Sequence, residues 1–303
     1  MTQHEARHVP VLFQEVMEFL SVRAEGTYVD CTVGLAGDSE GIVRRLGPAG
    51  RLIGFDRDPE ALEISASRLD RVRAEMGSQA PQIELVGETF SRIGEHVAPG
   101  SADGILADFG VSSLQFDEAR RGFSFQADGP LDMRMDTRVG PTAYQVVNEM
   151  RERELANLIY EYGEERRSRT VARAIVRGRP IATTAQLARI VASAAPPMKF
   201  VQIHPATRTF QALRIYVNRE LDEIRDLFEA APKLLKSSGR LVVISFHSLE
   251  DRIAKDSLRE GARLGVWNIL TKKPVTAGEA EVERNPRSRS AKLRVAAKQG
   301  LGT

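Results

Sequence analysis

The chain has 303 residues, of which 42% are hydrophobic and 28% charged, a balance typical of a folded globular protein rather than a disordered one. Its formal net charge of +2 does not by itself indicate a polyanionic partner. Cys31 is the only cysteine, which excludes an internal disulfide and a cysteine-based zinc cluster. Without a long apolar run or a signal-like N-terminus, we expect a cytoplasmic protein with no membrane partner.

Strand and helix patterns alternate in the first third of the chain. Helices are predicted at Ser39–Leu46 and at Pro59–Met76, where a proline suits the first helical turn. The apolar segments between them predict strands at 28–33, 51–56, 83–87 and 103–109. This alternation predicts an α/β fold with a parallel sheet.

The pattern changes from about Leu114 to about Pro205, where no convincing strand is present and helices are expected. A single helix is predicted at about 210–236, followed by strands at 239–246, 266–271 and 292–297. We therefore expect a core formed by residues 1–113 and 206–303, with an inserted, mostly helical domain at 114–205.

The segment from Tyr28 to Ser39 predicts a buried strand, then a glycine-containing turn and the start of a helix. The next predicted strand ends at Asp56, 19 residues after Gly37. Glycines allow a ligand close to the backbone, and an acid at this place bonds ribose hydroxyls. The segment therefore predicts a Rossmann-like nucleotide cofactor site.

The acids around this turn bear on the choice of cofactor. Asp30 precedes the turn and Asp38 follows it, where carboxylates would repel a dinucleotide pyrophosphate. S-adenosylmethionine carries an ammonium and a sulfonium, which acids attract, so we favour it over NAD. The alternative is that Asp30 and Asp38 only cap the turn and the helix.

Asp108 ends the fourth predicted strand, and an acid at the carboxyl end of a parallel strand lies in the ligand crevice. We expect it to contact the cofactor or to accept a hydrogen bond from an amine nucleophile, and it is our candidate catalytic residue. The alternative is a side chain that only caps the following loop.

Motifs along nearly the whole chain resemble those of the ribosomal RNA small subunit methyltransferase H family, also called MraW. That resemblance implies a class I S-adenosylmethionine-dependent methyltransferase that N4-methylates a cytidine in the decoding centre, the P-site region, of bacterial 16S rRNA. The matching segments are His8–Leu12, Asp30–Ser39, Phe55–Pro59, Asp108–Phe116, Arg121–Phe125, Asp128–Asp136, Tyr162–Arg166, His204–Ala212, Ile244–Arg252 and Asn285–Ser290.

The resemblance also implies which residues hold the cofactor, with Phe90 lying against the adenine. Two positions depart from the family pattern, which usually has glycine at Ala36 and histidine at Asp38. An added methyl at Ala36 is expected to crowd the cofactor, whereas a carboxylate at Asp38 still suits the cofactor ammonium. The implied cofactor contacts are Ala36, Gly37, Asp38, Asp56, Phe90, Asp108 and Gln115.

Basic residues are expected to hold the RNA. Residues 166–199 contain eight lysines and arginines and no acid, and the arginines spaced by three and four predict one helical face. A solvated face without RNA contact is the alternative. A second basic group lies at 284–294, and the segment from His204 to Gln211 is expected to shape the cleft. The RNA-binding candidates are Arg166, Arg169, Arg173, Arg177, Arg208, His247, Arg287 and Arg289.

Two aromatic groups in the motifs have open roles. A flipped cytosine needs a stacking partner, and Phe109, Phe123 and Phe125 are candidates, with core packing as the alternative. His247 either touches RNA or packs at a strand end, because Ser248–Asp251 resembles a capping box that starts a helix.

Three functional hypotheses remain open at this point: an rRNA cytosine-N4 methyltransferase, a methyltransferase for another amine in DNA or protein, and a non-catalytic RNA-binding assembly factor. The expected partner is 16S rRNA in the small ribosomal subunit, a homodimer is left open, and no metal is expected. Cofactor binding separates the third hypothesis from the others, and nucleic-acid preference separates the second from the first.

Overall fold

The computed structural model describes residues 10–196 and 204–300. The start of the motif segment His8–Leu12 and Lys199 of the basic segment lie outside the described residues. The chain divides into two compact units, unit 1 with Met1–Gly110 and Leu221–Thr303, and unit 2 with Val111–Glu220. No helix in the described part of the chain has the length and apolarity that crossing a bilayer demands.

A seven-stranded sheet forms the centre of unit 1, with strand order β3-β2-β1-β4-β5-β7-β6. Strands β1 to β5 pair in parallel, whereas β7 runs antiparallel to both β5 and β6. All seven predicted strands are confirmed, and the sheet is the Rossmann-like α/β architecture expected. The strands are β1 Thr27–Asp30, β2 Arg51–Phe55, β3 Gln82–Val86, β4 Ala102–Asp108, β5 Leu235–Ser245, β6 Trp267–Ile269 and β7 Lys292–Lys298.

The α-helices of the described residues alternate with the strands in the first third and then follow one another. They are α1 Phe13–Leu20, α2 Gly37–Val43, α3 Pro59–Met76, α4 Ile93–His96, α5 Ser113–Asp117, α6 Ala143–Glu149, α7 Glu152–Gly163, α8 Ser168–Arg177, α9 Thr184–Ala194, α10 Ala206–Asn218, α11 Glu220–Leu234, α12 Ser248–Arg263 and α13 Glu279–Arg284.

The bounds of α3 agree with the prediction because its start carries two local signals. Asp58 caps the helix by accepting a hydrogen bond from the Glu60 amide at 3.1 Å, and Pro59 occupies the first turn. The single helix predicted at 210–236 is wrong. Arg219 adopts a left-handed conformation with φ of 52°, which ends α10, and a separate helix, α11, starts at Glu220.

Unit 2 is built from α5 to α10 around a hydrophobic cluster that includes Leu155, Val171, Leu187 and Leu213. Helix α10 packs against α7 and α9. The second boundary between the units therefore lies after Glu220, whereas the sequence placed it at 205.

Candidate functional site

Four aspartates of unit 1 form what we call the carboxylate edge. Asp30 is the last residue of β1, Asp108 is the last residue of β4, and Asp56 directly follows β2. Because β2, β1 and β4 are adjacent and parallel, their carboxyl ends meet at one edge of the sheet. Asp38, in the first turn of α2, completes the group. The sheet thus brings together the acids that the sequence had singled out.

The turn between β1 and α2 is shaped by two left-handed residues, Gly34 with φ of 52° and Ala36 with φ of 59°. The Gly34 amide donates a hydrogen bond to Asp56 Oδ2 at 2.8 Å, and the Asp58 amide donates to Asp56 Oδ1 at 2.9 Å. Two backbone donors therefore orient the Asp56 carboxylate, and the remaining lone pairs of its oxygens suit ribose hydroxyls.

Asp30 has a structural role, as the capping alternative proposed. Its carboxylate is only 1% exposed, and it accepts hydrogen bonds from the Thr32 amide at 3.1 Å and from Ser39 Oγ at 2.6 Å. These bonds tie the end of β1 to the first turn of α2. Burial raises the Asp30 pKa, although the bonds from Ser39 and Thr32 oppose the rise.

Asp38 and Asp108 differ from Asp30, because each has a buried Oδ1 atom that accepts no hydrogen bond from the described residues. Burial raises the pKa of Asp38 well above its usual value, with a further contribution from the charge of Asp30. Burial raises the Asp108 pKa in the same way, and the charges of Asp38, Asp30 and Glu250 add to it. A buried carboxylate without a donor is costly, so these atoms point to a cationic or hydrogen-bonding ligand.

Asp56 shows a smaller effect of the same kind, since burial raises its pKa to about 6 while its backbone hydrogen bonds act in the opposite direction. A group of acids whose pKa values are raised by burial favours a ligand that brings positive charge. S-adenosylmethionine fits this requirement, with its ammonium and sulfonium meeting acids and its ribose meeting Asp56. A dinucleotide pyrophosphate does not fit.

The apolar wall expected for the adenine is Phe90, which directly follows the loop after β3 and is buried. Its ring centroid lies 6.4 Å from that of Phe109, with the planes tilted by 33°. Ala36 is fully buried and its methyl group belongs to the hydrophobic cluster of unit 1, so the protein interior accommodates the departure from glycine. Gly37 is buried as the first residue of α2.

Gln115 lies in unit 2 and has a local role that the sequence reasoning missed. Its Oε1 accepts a hydrogen bond from the Ser112 amide at 3.1 Å, and the Ser112 hydroxyl accepts one from the Gln115 amide at 3.3 Å. This reciprocal capping box starts α5. The serine followed three residues later by glutamine was the available signal.

The arginine face consists of Arg169, Arg173 and Arg177, which are exposed on α8. Arg166 is also exposed but precedes the helix, so the predicted four-residue stripe is wrong at that position. The opposite side of α8 is buried through Val171, Ala172 and Ile175. Within unit 2 the face is not free of acids, because Arg173 Nε lies 3.5 Å from Glu152 Oε1 of α7.

The remaining basic candidates are less uniform than the sequence suggested. Arg208 is exposed, and its Nη1 donates to the Glu164 carbonyl oxygen at 3.1 Å, which ties α10 to the end of α7. Arg287 and Arg289 are exposed in the short 3₁₀ segment Pro286–Ser290.

Two other members of that basic group pair with an acid and have a structural role. Arg294 Nε bonds Asp251 Oδ1 at 2.7 Å, and Lys292 Nζ bonds Asp251 Oδ2 at 3.1 Å. Asp251 therefore connects β7 with α12. A helix starts at Ser248 as predicted, but the residue that forms its capping box with Glu250 is His247 and not Ser248.

His247 is the residue that caps α12. Its Nδ1 accepts from the Glu250 amide at 3.4 Å, and the His247 amide donates to Glu250 Oε2 at 3.2 Å. The side chain is 10% exposed, and Nε2 lies 3.1 Å from Glu250 Oε1. These contacts favour the packing alternative for His247 over RNA contact.

The stacking candidates are also largely internal. Phe109 and Phe123 are buried, the latter in the hydrophobic cluster of unit 2. Phe125 is half-buried, with its ring centroid 4.7 Å from that of His204 and 4.9 Å from that of Phe210. All three thus have packing roles.

Comparison with known proteins adds independent information. Residues 5–299 match the model of the MraW methylase family. A protein of Acidobacterium capsulatum called ribosomal RNA small subunit methyltransferase H is 67% identical, covering 97% of this chain and 99% of that protein. A protein of Koribacter versatilis with the same name is 58% identical, covering 96% and 94%. An S-adenosylmethionine-dependent O-methyltransferase of Thermotoga maritima has a TM-score of 0.43 at 9% identity, covering 99% of this chain and 71% of that one.

Proposed function

Because the chain belongs to the MraW methylase family, whose methyl donor is S-adenosylmethionine, we propose that it methylates N4 of a cytidine in the decoding centre of bacterial 16S rRNA. The names of the relatives support rRNA as the substrate class. The observation that carries the proposal is the carboxylate edge, where the buried Oδ1 atoms of Asp38 and Asp108 accept no hydrogen bond from the described residues.

Three acids divide the work of holding the donor, which supplies an electrophilic methyl group on a sulfonium. Asp56, oriented by the Gly34 and Asp58 amides, would accept hydrogen bonds from the ribose hydroxyls. Asp38 would meet the ammonium, and Asp30 keeps the turn in place. Methyl transfer needs in-line geometry, so a turn fixed from several sides contributes directly to the rate.

Asp108 is the residue we assign to the nucleophile. The exocyclic amine of cytosine is weakly nucleophilic because its lone pair is delocalised into the ring. A carboxylate that accepts a hydrogen bond from this amine orients it and later takes the proton that the nitrogen loses. The Asp108 amide donates to Thr32 Oγ1 at 2.8 Å, which fixes the backbone at this point.

The exposed arginines are proposed to hold the rRNA backbone. Guanidinium groups bind phosphates with two parallel hydrogen bonds and release counterions, which gives affinity without sequence preference. Arg169 and Arg177 of the arginine face and Arg287 near the C-terminus are the exposed members of this set that we favour. Sequence preference then comes from the unpaired base itself.

The test is to incubate the purified chain with methyl-labelled S-adenosylmethionine and small ribosomal subunits that lack the modification, and to digest the RNA to nucleosides. Labelled N4-methylcytidine is the expected product. Asp108→Asn should lower the turnover by about a hundredfold, within the range of a lost general base. Asp70→Asn, a charge loss at an exposed position of α3, is the matched control and should leave turnover unchanged.

Other products would contradict the proposal in defined ways. A label on another nucleoside would refute the N4 assignment, and a label on DNA or protein alone would refute rRNA as the substrate. Cofactor binding without any transfer to subunits or to free 16S rRNA would favour the non-catalytic assembly factor.

A further inference from the structure

Arg68 lies in α3, outside the motif segments, yet its side chain reaches the turn between β1 and α2. Its Nη1 donates to the Leu35 carbonyl oxygen at 2.9 Å, and its Nε donates to Glu40 Oε2 at 2.7 Å. The side chain is 20% exposed. One rigid guanidinium thus joins the turn to the first helical turn of α2, a geometry that the point charge of a lysine does not reproduce.

The charge of Arg68 also acts on Asp38. Burial and the charge of Asp30 raise the Asp38 pKa, and Arg68 opposes them. Asp108 of β4 is the third acid in this group, since the charge of Asp38 contributes to its raised pKa. Asp38 therefore experiences acids from β1 and β4 and a basic group from α3.

A guanidinium beside a site for a cationic ligand would be unfavourable if its charge were uncompensated. Glu40 provides the compensation, and it pairs with Arg44 as well, at 2.7 Å. Burial acts to raise the Glu40 pKa, but the hydrogen bonds from Arg44 and Arg68 lower it overall, so Glu40 stays ionised. The positive charge of Arg68 is therefore largely balanced by Glu40 and repels a cationic ligand only weakly.

We propose that Arg68 is a positioning residue of the cofactor site, which fixes the turn at Leu35 and joins it to the first helical turn of α2 beside Asp38. The inference rests on the cofactor assignment and is independent of which base is methylated. Its test uses cofactor binding without RNA, so its outcome is separate from that of the nucleoside assay.

The experiment compares Arg68→Gln, Arg68→Lys and Arg44→Gln by calorimetry with S-adenosylmethionine and S-adenosylhomocysteine at neutral pH. Arg68→Gln should weaken binding of both ligands about tenfold, because the turn loses its side-chain contact at the Leu35 carbonyl. Both ligands are expected to respond equally because both carry the ammonium. Arg68→Lys keeps the charge without the forked guanidinium and should recover only part of the affinity.

Arg44→Gln is the matched control, because it removes another arginine from the same Glu40 carboxylate, and the hydrogen bonds of Arg44 go to Glu40 and Glu75. It should leave both affinities unchanged. At saturating cofactor, Arg68→Gln should keep the turnover within about twofold of wild type, since the residue acts through binding. Unchanged binding in Arg68→Gln, an equal loss in Arg44→Gln, or full wild-type affinity in Arg68→Lys would each overturn the proposal.

Discussion

The carboxylate edge of unit 1 and the arginine face of unit 2 are both charge clusters, but they are built in opposite ways. Asp38 and Asp108 have buried oxygen atoms and raised pKa values, so their charge is costly to maintain. Arg169 and Arg177 are exposed to water, where charge has little cost. Buried carboxylates favour a bound ligand that stabilises their charge. Exposed arginines instead suit an anionic partner that they attract over a long distance.

The largest effect is expected for Asp56→Asn, which should break the carboxylate edge as a binding site. The amide cannot accept from both the Gly34 and Asp58 backbones and also serve the ribose. We expect cofactor affinity to fall about a hundredfold, or about 3 kcal/mol. Calorimetry measures this, with Asp70→Asn as the control. Affinity within threefold of wild type would contradict the role given to Asp56.

The arginine face is tested by replacing Arg169 and Arg173 with Glu. RNA binding should weaken by about thirtyfold at low salt, and the salt slope should fall by about 1.4, or about 0.7 for each phosphate that the variant no longer neutralises. Cofactor binding should not change. The control is charge reversal at Arg225 and Arg263, exposed helical arginines of unit 1 that also pair with acids. An equal loss of RNA binding in the control would show a nonspecific charge effect.

A pH titration of cofactor binding tests whether the carboxylate edge, unlike the exposed arginine face, depends on a buried group that titrates near neutral pH. Burial raises the Asp56 pKa to about 6, so below that pH the group holds a proton and is a poorer acceptor for the ribose hydroxyls. Binding should release protons, and affinity at about pH 5 should be about tenfold lower than at about pH 8. Calorimetry in buffers of different ionisation enthalpy detects the released protons. Affinity independent of pH would contradict the charge-based interpretation.

A smaller effect, opposite in sign, is expected for stability. Asp38→Asn removes a carboxyl group whose charged form is disfavoured by burial and by Asp30, and it should raise the free energy of unfolding by about 1 kcal/mol without cofactor at neutral pH. This gain exceeds the ~0.5 kcal/mol that an acid contributes at a helix N-terminus. The gain should vanish as acid protonates Asp38 in the wild type. Urea unfolding measures it, and destabilisation by Asp38→Asn would contradict the argument.

The smallest effect is expected for Ala36→Gly. Glycine relieves a left-handed conformation that costs alanine about 1 kcal/mol, but it loses a buried methyl worth about 0.8 kcal/mol. The free energy of unfolding and the cofactor affinity should both stay near the wild-type values. A tenfold gain in affinity would show that the Ala36 methyl does crowd the cofactor, as expected from the sequence.

Strands and helix ends could be predicted from the sequence wherever a local signal marks them. Buried apolar runs predicted the seven strands, and Pro59 predicted the start of α3. The prediction failed at Arg219, where a left-handed arginine, without glycine or proline, divides the predicted helix in two. The sequence predicted the start of α12 but not its capping residue, because a histidine is unusual at that position.

The same limit applies to the candidate site. Asp30, Asp56 and Asp108 were found because strand ends are visible in the sequence and parallel strands align them. Arg68 was not, because its contact with Leu35 depends on how α3 lies beside the turn, which no nearby motif encodes. That Arg173 has an acid neighbour, Glu152, required the packing of α7 against α8.

The division of unit 1 into two segments has a consequence during translation. Strand β4 leaves the ribosome before the whole of unit 2, and its partner β5 follows only about 130 residues later, after roughly ten seconds of synthesis. Until then an apolar strand has one unpaired edge, which is an aggregation hazard. Unit 2 is continuous in the chain and is free to fold in that interval. Slow elongation through residues 111–220 would therefore prolong the period in which the edge of β4 is unpaired and prone to aggregation.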